Sequence, residues 1–512
     1  MRKQLECICS FIASLPQTFT CYIFVDSALF QAYNMSLAIL GLREIRQKPD
    51  KNRKCRETTI MTKDLTNGSP MKLVLGFSIP LLLGFLFQQF YSLVDTLIVG
   101  RYLGVDPLAA VGSTSSVNFL VIGFCMGVCI GFSIPVSHKF GAGDHAGMRK
   151  YVANSVWLSA AFSIILTAVT VIFCRQILTA MKTPDNIIDS AYSYIVVIFI
   201  GIPVTFLYNI LSGIIRALGD SRTPVFFLLL SSVLNVALDL IFIINLGLGV
   251  AGAAWATVIS QGVSGLLCLL YMVKKFEILH ISRDEWRPDG HMMASLCNMG
   301  IPMGLQYSIT AIGSVILQSA VNTLGSGAVA AVTAAGKIYS FLACPFDAMG
   351  STMATYGGQN VGAGKLERIL QGLKSCILLG AVYSVMAFLI AFFLGEPLAA
   401  MFVKEQDLQI LSDVRLYLVI STLFFFPLAL VNIIRFMIQG IGFPRFAILA
   451  GVFEMVARGF TGAVLVPQFG FTAACLGSPI AWLCADAFLI PAFLHVYRRL
   501  KVQLPPAKAP DR

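Results

Sequence analysis

Two carboxylates lie inside long apolar stretches of this chain, and neither stretch contains a Lys or Arg to neutralise them. Asp95 lies within residues 91–100. Asp239 follows Asn235 by four residues, a spacing that puts Asn235 and Asp239 on one face of a helix. An ionisable side chain inside a membrane costs roughly 2.5–3.5 kcal/mol and usually serves a function. Two uncompensated acids of this kind can hold a proton or Na⁺ and exchange it for another solute.

The polar residues of these stretches fall in one layer if the stretches are helices that end at the same side. Asp239 precedes Gly247 by eight residues and Thr257 follows it by ten. At about 1.5 Å per residue their depths are about 12 and 15 Å. Asp95 lies a comparable distance from its nearest turn, and Asn209 lies somewhat deeper. The alternative is a structural polar network that only holds the helices together.

The composition indicates an integral membrane protein. Of the 512 residues, 57% are hydrophobic and 12% are charged, whereas soluble domains carry roughly 25% charged residues. The formal net charge of +11 does not indicate nucleic acid binding, because Lys and Arg lie in short loops and form no stripe. The 13 cysteines and 5 histidines show no catalytic or metal-ligand spacing. We therefore expect no enzyme activity, no cofactor, and no metal beyond Na⁺ at the acid cluster.

The apolar stretches predict an all-α fold of about twelve transmembrane helices from residue 71 onward. Each holds the roughly 20 apolar residues that a bilayer requires, and an open chain in lipid must be helical. The predicted spans are 73–100, 109–136, 152–174, 188–215, 224–245, 251–273, 295–322, 328–355, 372–394, 409–435, 446–466 and 471–496.

Basic residues are concentrated in alternate loops. If residue 71 is inside, the cytoplasmic loops hold most of them, whereas the hairpins 246–250, 323–327 and 467–470 hold none. This asymmetry predicts that both termini are cytoplasmic. The basic residues assigned to cytoplasmic loops are Arg149, Lys150, Arg216, Arg222, Lys274, Lys275, Arg283, Arg287, Lys365, Arg368, Arg445, Arg498, Arg499 and Lys501.

The chain repeats itself after about 220 residues. The repeated landmarks are Pro80 and Pro302, Gly141 and Gly362, and Pro224 and Pro444. A duplicated unit with six spans per half predicts two pseudo-symmetric six-helix lobes, related by an axis along the membrane normal. The predicted domains are an amino-terminal lobe at 71–275, a cytoplasmic linker at 276–294, a carboxy-terminal lobe at 295–497 and a basic cytoplasmic tail at 498–512.

Residues 1–70 differ from the rest and form an amino-terminal extension. Residues 8–42 are interrupted by polar side chains and lack the compact apolar core of a signal peptide. We expect translation to start at Met61, which would make the first 60 residues a mis-assigned start. The alternative is a disordered cytoplasmic tail or a peripheral helix.

The second half does not repeat the acids of the first. It has Gln318 near the position of Asp95, and Glu454 and Arg458 near the equivalents of Asn235 and Asp239. Glu454 and Arg458 are four residues apart, which predicts a structural ion pair, with substrate gating as the alternative. Four further polar residues are candidates for lining a cleft, or for ordinary contacts between helices: Gln306, Gln318, Asn322 and Lys337. For Lys337, a pair with Glu454 is a second alternative.

Several motifs resemble the bacterial branch of the multidrug and toxic compound extrusion (MATE) family over about residues 71–497. They are the doubled six-helix plan, the first-span pattern that runs from Pro80 through Asp95 to Gly100, the Gly-Ala-Gly turns, and residues 216–224. The resemblance implies a V-shaped pair of lobes that exports organic cations against H⁺ or Na⁺. It also implies a cation or proton site in the amino-terminal lobe at Asp95, Asn209, Asn235, Asp239 and Thr257. One branch of the family has a second site with acids on spans seven and ten, and this chain has no acid at either of those places, so the second site is not expected here.

Together these features predict a secondary antiporter that works by alternating access in a bacterial plasma membrane. We expect a monomer surrounded by lipid, with small amphipathic cationic substrates, H⁺ or Na⁺ as the coupling ion, and no nucleic acid partner. The nearest alternative is a flippase for a lipid-linked oligosaccharide or another lipid precursor, which a cavity lined by Arg would favour. A channel is less compatible with a duplicated bundle that forms a cleft.

Overall fold

The computed structural model describes residues 64–181, 183–400 and 408–503, and within these ranges the chain is helical and contains no β-strand. The predicted amino-terminal extension lies outside the described residues except for 64–70, and so does the expected start at Met61. Of the predicted carboxy-terminal tail, residues 498–503 continue the last helix, and 504–512 lie outside the description.

The described helices fall into two sets that correspond to the two halves of the sequence. We refer to residues 70–275 as the N-lobe and to residues 290–503 as the C-lobe. The N-lobe helices are α1 (Pro70–Tyr102), α2 (Val105–Gly141), α3 (His145–Ile172), α4 (Cys174–Ala180), α5 (Ile188–Ile200), α6 (Ile202–Ala217), α7 (Arg222–Leu240) and α8 (Gly249–Lys275). The C-lobe helices are α9 (Gly290–Asn322), α10 (Ser326–Gly362), α11 (Leu366–Ala400), α12 (Leu408–Leu423), α13 (Phe425–Gly440), α14 (Pro444–Phe460) and α15 (Val466–Gln503).

The described residues contain nine helices that are long and apolar enough to cross a membrane, or up to eleven if each bent pair counts as one span. The bent pairs are α5–α6, at 45°, and α12–α13, at 50°. One of the nine is Pro444–Gln503, counted as a single helix of 60 residues. A helix of this length would be about 90 Å long, which is too long for one membrane crossing. Gly470 breaks it with a φ of +61°, so it holds two spans. The predicted all-α membrane fold of about twelve spans is confirmed.

Each lobe has its own hydrophobic core, but the first helix of each lobe begins in the core of the other. Phe77 of α1 is buried with Met353 and Tyr356 of the C-lobe, whereas Val99, near the end of α1, belongs to the N-lobe core. Leu296, near the start of α9, is likewise buried in the N-lobe core. The helices α1 and α9 thus exchange lobes where they begin.

Glycines allow α2 and α9 to approach backbone to backbone across the lobes. Gly127 and Gly131 of α2 are four residues apart and face α9. There, Gly300 and Gly304 have the same spacing. A Cβ atom added to Gly131 would lie 2.5 Å from the Cα atom of Gly300. Small residues at this spacing are the usual device for close packing of membrane helices.

Hydrogen bonds to backbone carbonyls join the lobes at one end of the bundle, which we call the closed end. The Nε2 atom of His138 lies 2.7 Å from the carbonyl oxygen of Gly440. Gln359 donates from Nε2 to the carbonyl of Ala217 at 2.8 Å. The backbone N–H of Leu65 donates to Oε1 of Gln359 at 2.9 Å, so the segment before α1 is bound here as well.

The segment between the lobes is bound to α3. Arg149 donates from Nε to both carboxylate oxygens of Glu285, at 2.9 and 3.0 Å, and the backbone N–H of Ser282 donates to Oε2 at 2.9 Å. The hydrogen bonds from Arg149 are the main cause that lowers the pKa of Glu285 to about 2, so this carboxylate is ionised at neutral pH. Asp289 donates its backbone N–H to Asn154 at 2.8 Å. The segment therefore follows the N-lobe surface.

We expect Gly131→Ala to lower the midpoint of thermal unfolding in detergent, because the added Cβ would push two backbones apart. Overpacking of this kind costs about 1–3 kcal/mol, which exceeds the gain of about 1 kcal/mol from alanine's better helix propensity. Gly336→Ala is the matched control, since a Cβ at that position meets no atom within 4 Å. Scanning fluorimetry measures both midpoints, and an unchanged midpoint for Gly131→Ala would contradict the close contact.

Candidate functional site

Asp95 of α1 and Asp239 of α7 lie side by side in the N-lobe, close enough for one carboxyl to hydrogen-bond the other when protonated. Asp239 is fully buried and Asp95 is partly exposed. Among the described residues, no donor reaches either oxygen of Asp239 or the Oδ1 atom of Asp95. Two ionised carboxylates repel each other and are poorly solvated when buried. This pair therefore favours a shared proton or a bound cation.

Three further residues that the sequence assigned to this site surround the acids. Asn235 donates from Nδ2 to Oγ1 of Thr257 at 3.4 Å, and its own Oδ1 receives no hydrogen bond from the described chain. Asn209 donates from Nδ2 to the carbonyl of Thr205 at 2.8 Å. The amide donors are thus used within the protein. The oxygens that stay available are the ligand type that hard cations prefer.

Four of the five predicted site residues line one cavity of about 270 Å³: Asp95, Asn209, Asn235 and Thr257. The fifth, Asp239, lies behind this wall against Asp95. The structure therefore brings together residues from α1, α6, α7 and α8 that are up to about 160 positions apart in the chain. We call these five residues the acid cluster; that they bind the coupling ion stays a prediction.

A second and larger cavity, of about 530 Å³, lies between the lobes. Its aromatic lining comes from both lobes and includes Phe85, Tyr91, Phe119, Tyr307 and Phe436. We call it the central cavity. It shares wall residues with the cavity of the acid cluster, among them Gln88, Tyr91, Asn118, Asn209 and Arg216. An apolar cavity with a few polar groups is a typical binding site for small molecules, and here it adjoins the acid cluster.

The charged residues among those that line the central cavity are Arg216 and Asp347. Neither was predicted from the sequence as a cavity residue. The assignment of Arg216 to a cytoplasmic loop is wrong. The helix α6 continues to Ala217, beyond the predicted span end at residue 215, and the side chain of Arg216 lies in the cavity wall. Asp347 of α10 could have been found, because it is an acid inside the apolar span 328–355.

The four residues proposed for a cleft lining do not line either of these cavities. Gln306 is buried and accepts a hydrogen bond from Nε2 of Gln439 at 2.9 Å. Gln318 donates to Asn322 at 3.0 Å on an exposed helix face. Gln306, Gln318 and Asn322 therefore make ordinary contacts within and between helices, which was the alternative to a cleft lining. Lys337 is exposed and forms no ion pair with any residue in the described ranges.

Glu454 of α14 lies between two arginines in the C-lobe core. The Nη2 atom of Arg458 is 3.4 Å from Oε2 of Glu454, which is the ion pair expected from their spacing. Arg435 of α13 contacts Oε1 directly, so Glu454 pairs with Arg435 and not with Lys337. All three members are buried, and the carboxylate of Asp486 lies near Arg435. The cluster therefore places two arginines beside two acidic residues, with Glu454 shared between the arginines.

One family model accounts for both halves of this arrangement. The model of the MatE family matches residues 80–241 and again residues 302–463. The chain belongs to the MatE family. The two matches begin at Pro80 and Pro302, the landmarks of the internal repeat, and the expected family membership is confirmed.

Several curated proteins are similar to this MatE chain. Probable multidrug resistance protein YpnP of Bacillus subtilis (strain 168) is 32% identical and aligns over 74% of this chain and 83% of its own. Multidrug export protein MepA of Staphylococcus aureus (strain MSSA476) is 23% identical over 83% of this chain and 93% of its own. A protein named FAD transporter, from Shewanella oneidensis, is 24% identical over 71% of this chain and 80% of its own.

Solved structures of MATE proteins have the same fold. A crystal structure of MATE in complex with MaL6 matches with a TM-score of 0.80 at 25% identity, over 87% of this chain and 99% of that one. A structure of the outward-facing conformation of a multidrug resistance MATE family transporter of the MOP superfamily matches with a TM-score of 0.81 at 24% identity. The match covers 87% of this chain and 100% of that one. This MatE protein is thus a multi-pass membrane protein.

We expect Glu454→Gln to destabilise this MatE protein by about 3–5 kcal/mol, because it leaves two buried arginines with too little negative charge. Glu396→Gln is the matched control, since Glu396 forms a surface ion pair with Arg415 at 2.7 Å, and such pairs contribute about 0–1 kcal/mol. Thermal unfolding in detergent compares the two variants with the parent. Equal midpoints would show that the Glu454 cluster does not support the C-lobe.

Proposed function

We propose that this MatE protein is a secondary active antiporter that exports amphipathic organic cations in exchange for H⁺ or Na⁺. The observation that carries the proposal is the pair of Asp95 and Asp239, whose oxygens lack donors in the described chain and lie beside a cavity between two lobes. Relatives named as multidrug resistance and multidrug export proteins support the export of drugs.

The anchoring of α1 provides a route from ion binding to lobe movement. Asp95 lies near the end of a helix whose beginning, at Phe77, is buried in the C-lobe core, whereas Asp239 lies in the N-lobe. Because α1 begins in the C-lobe core and ends in the N-lobe core near Val99, a movement of one lobe against the other bends α1, and this bending shifts Asp95 relative to Asp239. The two conformations then differ in affinity for the ion, which is the condition under which an ion can drive a conformational change.

The central cavity has the chemistry that a cationic amphiphile requires. Asp347 supplies a negative charge on the C-lobe wall and forms no ion pair in the described chain. Aromatic rings such as Tyr307 and Phe119 provide apolar surface and can attract a cation through their faces. Release of the ion at the acid cluster can therefore be linked to binding of a substrate next to it.

We further propose that the closed end faces the cytoplasm of a bacterial cell, with both termini on that side and the protein working as a monomer. Basic residues of the closed-end loops support this orientation, since Lys365 there donates to the carbonyl of Thr66 at 3.0 Å and Arg368 donates to Asn360 at 3.2 Å. In this orientation the described conformation is closed to the cytoplasm, as in an outward-facing transporter.

A flippase for a lipid precursor is the second candidate, and Arg216 in the central cavity is the observation that favours it. The two cavities nevertheless contain Asp95 and Asp347 beside this single arginine, so their walls are not basic. An antiporter for molecules with a cationic group fits these charges better. A relative named FAD transporter shows that family membership alone does not define the substrate.

We expect Asp95→Asn and Asp239→Asn each to reduce ethidium export from cells to the background level, because a cluster with one acid loses its ability to bind and release the ion. Asp106→Asn is the matched control, since Asp106 is exposed in the first turn of α2. The amount of protein in the membrane is measured in parallel. Normal export by Asp95→Asn would contradict the proposed coupling site.

Proteoliposomes with a pH gradient and a Na⁺ gradient, imposed one at a time, test the antiport itself. We expect one of the two gradients to drive dye movement against its concentration. The response should disappear in Asp95→Asn and persist in the Asp106→Asn control. If neither gradient moves a dye that the purified protein binds, antiport with these ions is wrong.

A further inference from the structure

Arg216 is a cation in the wall of the central cavity, and the described part of the chain gives it no partner of opposite charge. Its guanidinium forms no hydrogen bond and no ion pair with any residue in the described ranges, although its side chain is only partly exposed. The ionisable groups near it are Tyr208, Tyr307, Cys129 and Cys268, which are uncharged at neutral pH. By contrast, the two other arginines buried within the bundle, Arg435 and Arg458, share Glu454.

The position of Arg216 points to a ligand and not to a fold contact. It lies in the last turn of α6, next to Ala217, whose carbonyl accepts the hydrogen bond from Gln359 at the closed end. The guanidinium therefore lies at the floor of the cavity. A guanidinium has five N–H donors in a fixed fork that matches a carboxylate or a phosphate. Such a group left without an acceptor is the natural complement of an oxyanion that enters the cavity.

A charge of opposite sign lies on the other lobe. Asp347 of α10 also lines the central cavity and forms no ion pair in the described chain, and Tyr307 of α9 is within electrostatic reach of both Asp347 and Arg216. The two charges belong to different lobes and do not pair with each other. The cavity thus presents a positive group at its floor and a negative group on the C-lobe wall, with aromatic rings around them.

We propose that Arg216 binds an oxyanion group of the transported molecule, and that the preferred substrates are zwitterions whose cationic group is attracted to Asp347. This inference rests on the proposed export function and specifies its substrate class. Simple organic cations such as ethidium remain substrates through Asp347 and the aromatic rings, but zwitterions are preferred because Arg216 attracts their anionic group.

A pair of dyes that differ only in the anionic group tests the proposal. One is a rhodamine with a free carboxylate, and the other is its methyl ester, which keeps the same cationic ring system. Transport of both is measured in proteoliposomes that contain the parent protein, Arg216→Gln, Arg216→Lys or the control Arg222→Gln. Arg222 is exposed at the start of α7 and does not line the cavity.

We expect the parent to prefer the carboxylate dye. Loss of a charge-assisted pair should raise the KM of Arg216→Gln for this dye roughly 10- to 100-fold, while the KM for the ester stays the same or falls. Arg216→Lys should restore part of the preference, and Arg222→Gln should leave both values unchanged. If Arg216→Gln impairs both dyes equally, or neither, Arg216 does not recognise an anionic group and the proposal is wrong.

Dye binding to the purified protein in detergent, followed by fluorescence anisotropy, separates this inference from the export function. A preference for the carboxylate dye that Arg216→Gln abolishes supports the anion site, whether or not a gradient drives export. If the parent binds the ester as tightly as the carboxylate dye, the substrate class is wrong even where ethidium export is confirmed.

Discussion

The exchange of the first helices between the lobes is the constraint on which the rest of the structure depends. Because Phe77 of α1 is buried in the C-lobe core and Leu296 of α9 in the N-lobe core, each lobe is incomplete without a helix from the other. The glycines of α2 and α9 bring the two backbones together beside this exchange. The lobes are therefore held at the closed end, and the central cavity forms beyond these contacts.

The two lobes share a helical plan but manage buried charge in opposite ways. In the C-lobe, Glu454 lies between two arginines and Asp486 lies near one of them, so each buried charge has a partner inside the protein. In the N-lobe, Asp95 and Asp239 have no basic residue among the described residues to neutralise them. A balanced cluster stays the same during transport, whereas an unbalanced one has to take up positive charge from outside. This asymmetry of charge is the reason for proposing a structural role for the C-lobe cluster and ion exchange for the N-lobe pair.

The membrane fold could be predicted because it depends on local sequence, and the acid cluster because its acids stand out inside apolar spans and the family resemblance implies its other members. Lipid requires long apolar helices, and an acid such as Asp239 inside one is conspicuous. Arg216 was missed because helix ends are poorly defined by apolar counting, and two more residues of helix move its side chain from a loop into a cavity. Arg435 was missed because Glu454 already had a partner, Arg458, one turn away on the same helix. A second partner on a different helix cannot be recognised from sequence spacing. The exchange of α1 between the lobes cannot be recognised from the sequence either, because an apolar helix face does not indicate which other helix it packs against.

The hydrogen bonds that cross the closed end are individually weak. His138 and Gln359 each make a hydrogen bond to a carbonyl of the opposite lobe, and such bonds contribute about 0.5–1.5 kcal/mol net. No ion pair among the described residues joins the two lobes directly. Moving a two-state equilibrium from 1:99 to 99:1 takes about 5.5 kcal/mol of differential binding. A proton or Na⁺ that one conformation binds between two acids, and the other conformation binds poorly, supplies an energy of this order. Among the described residues no ion pair has to be broken at the closed end, so the proposed coupling through one buried acid pair has only weak polar contacts to overcome there.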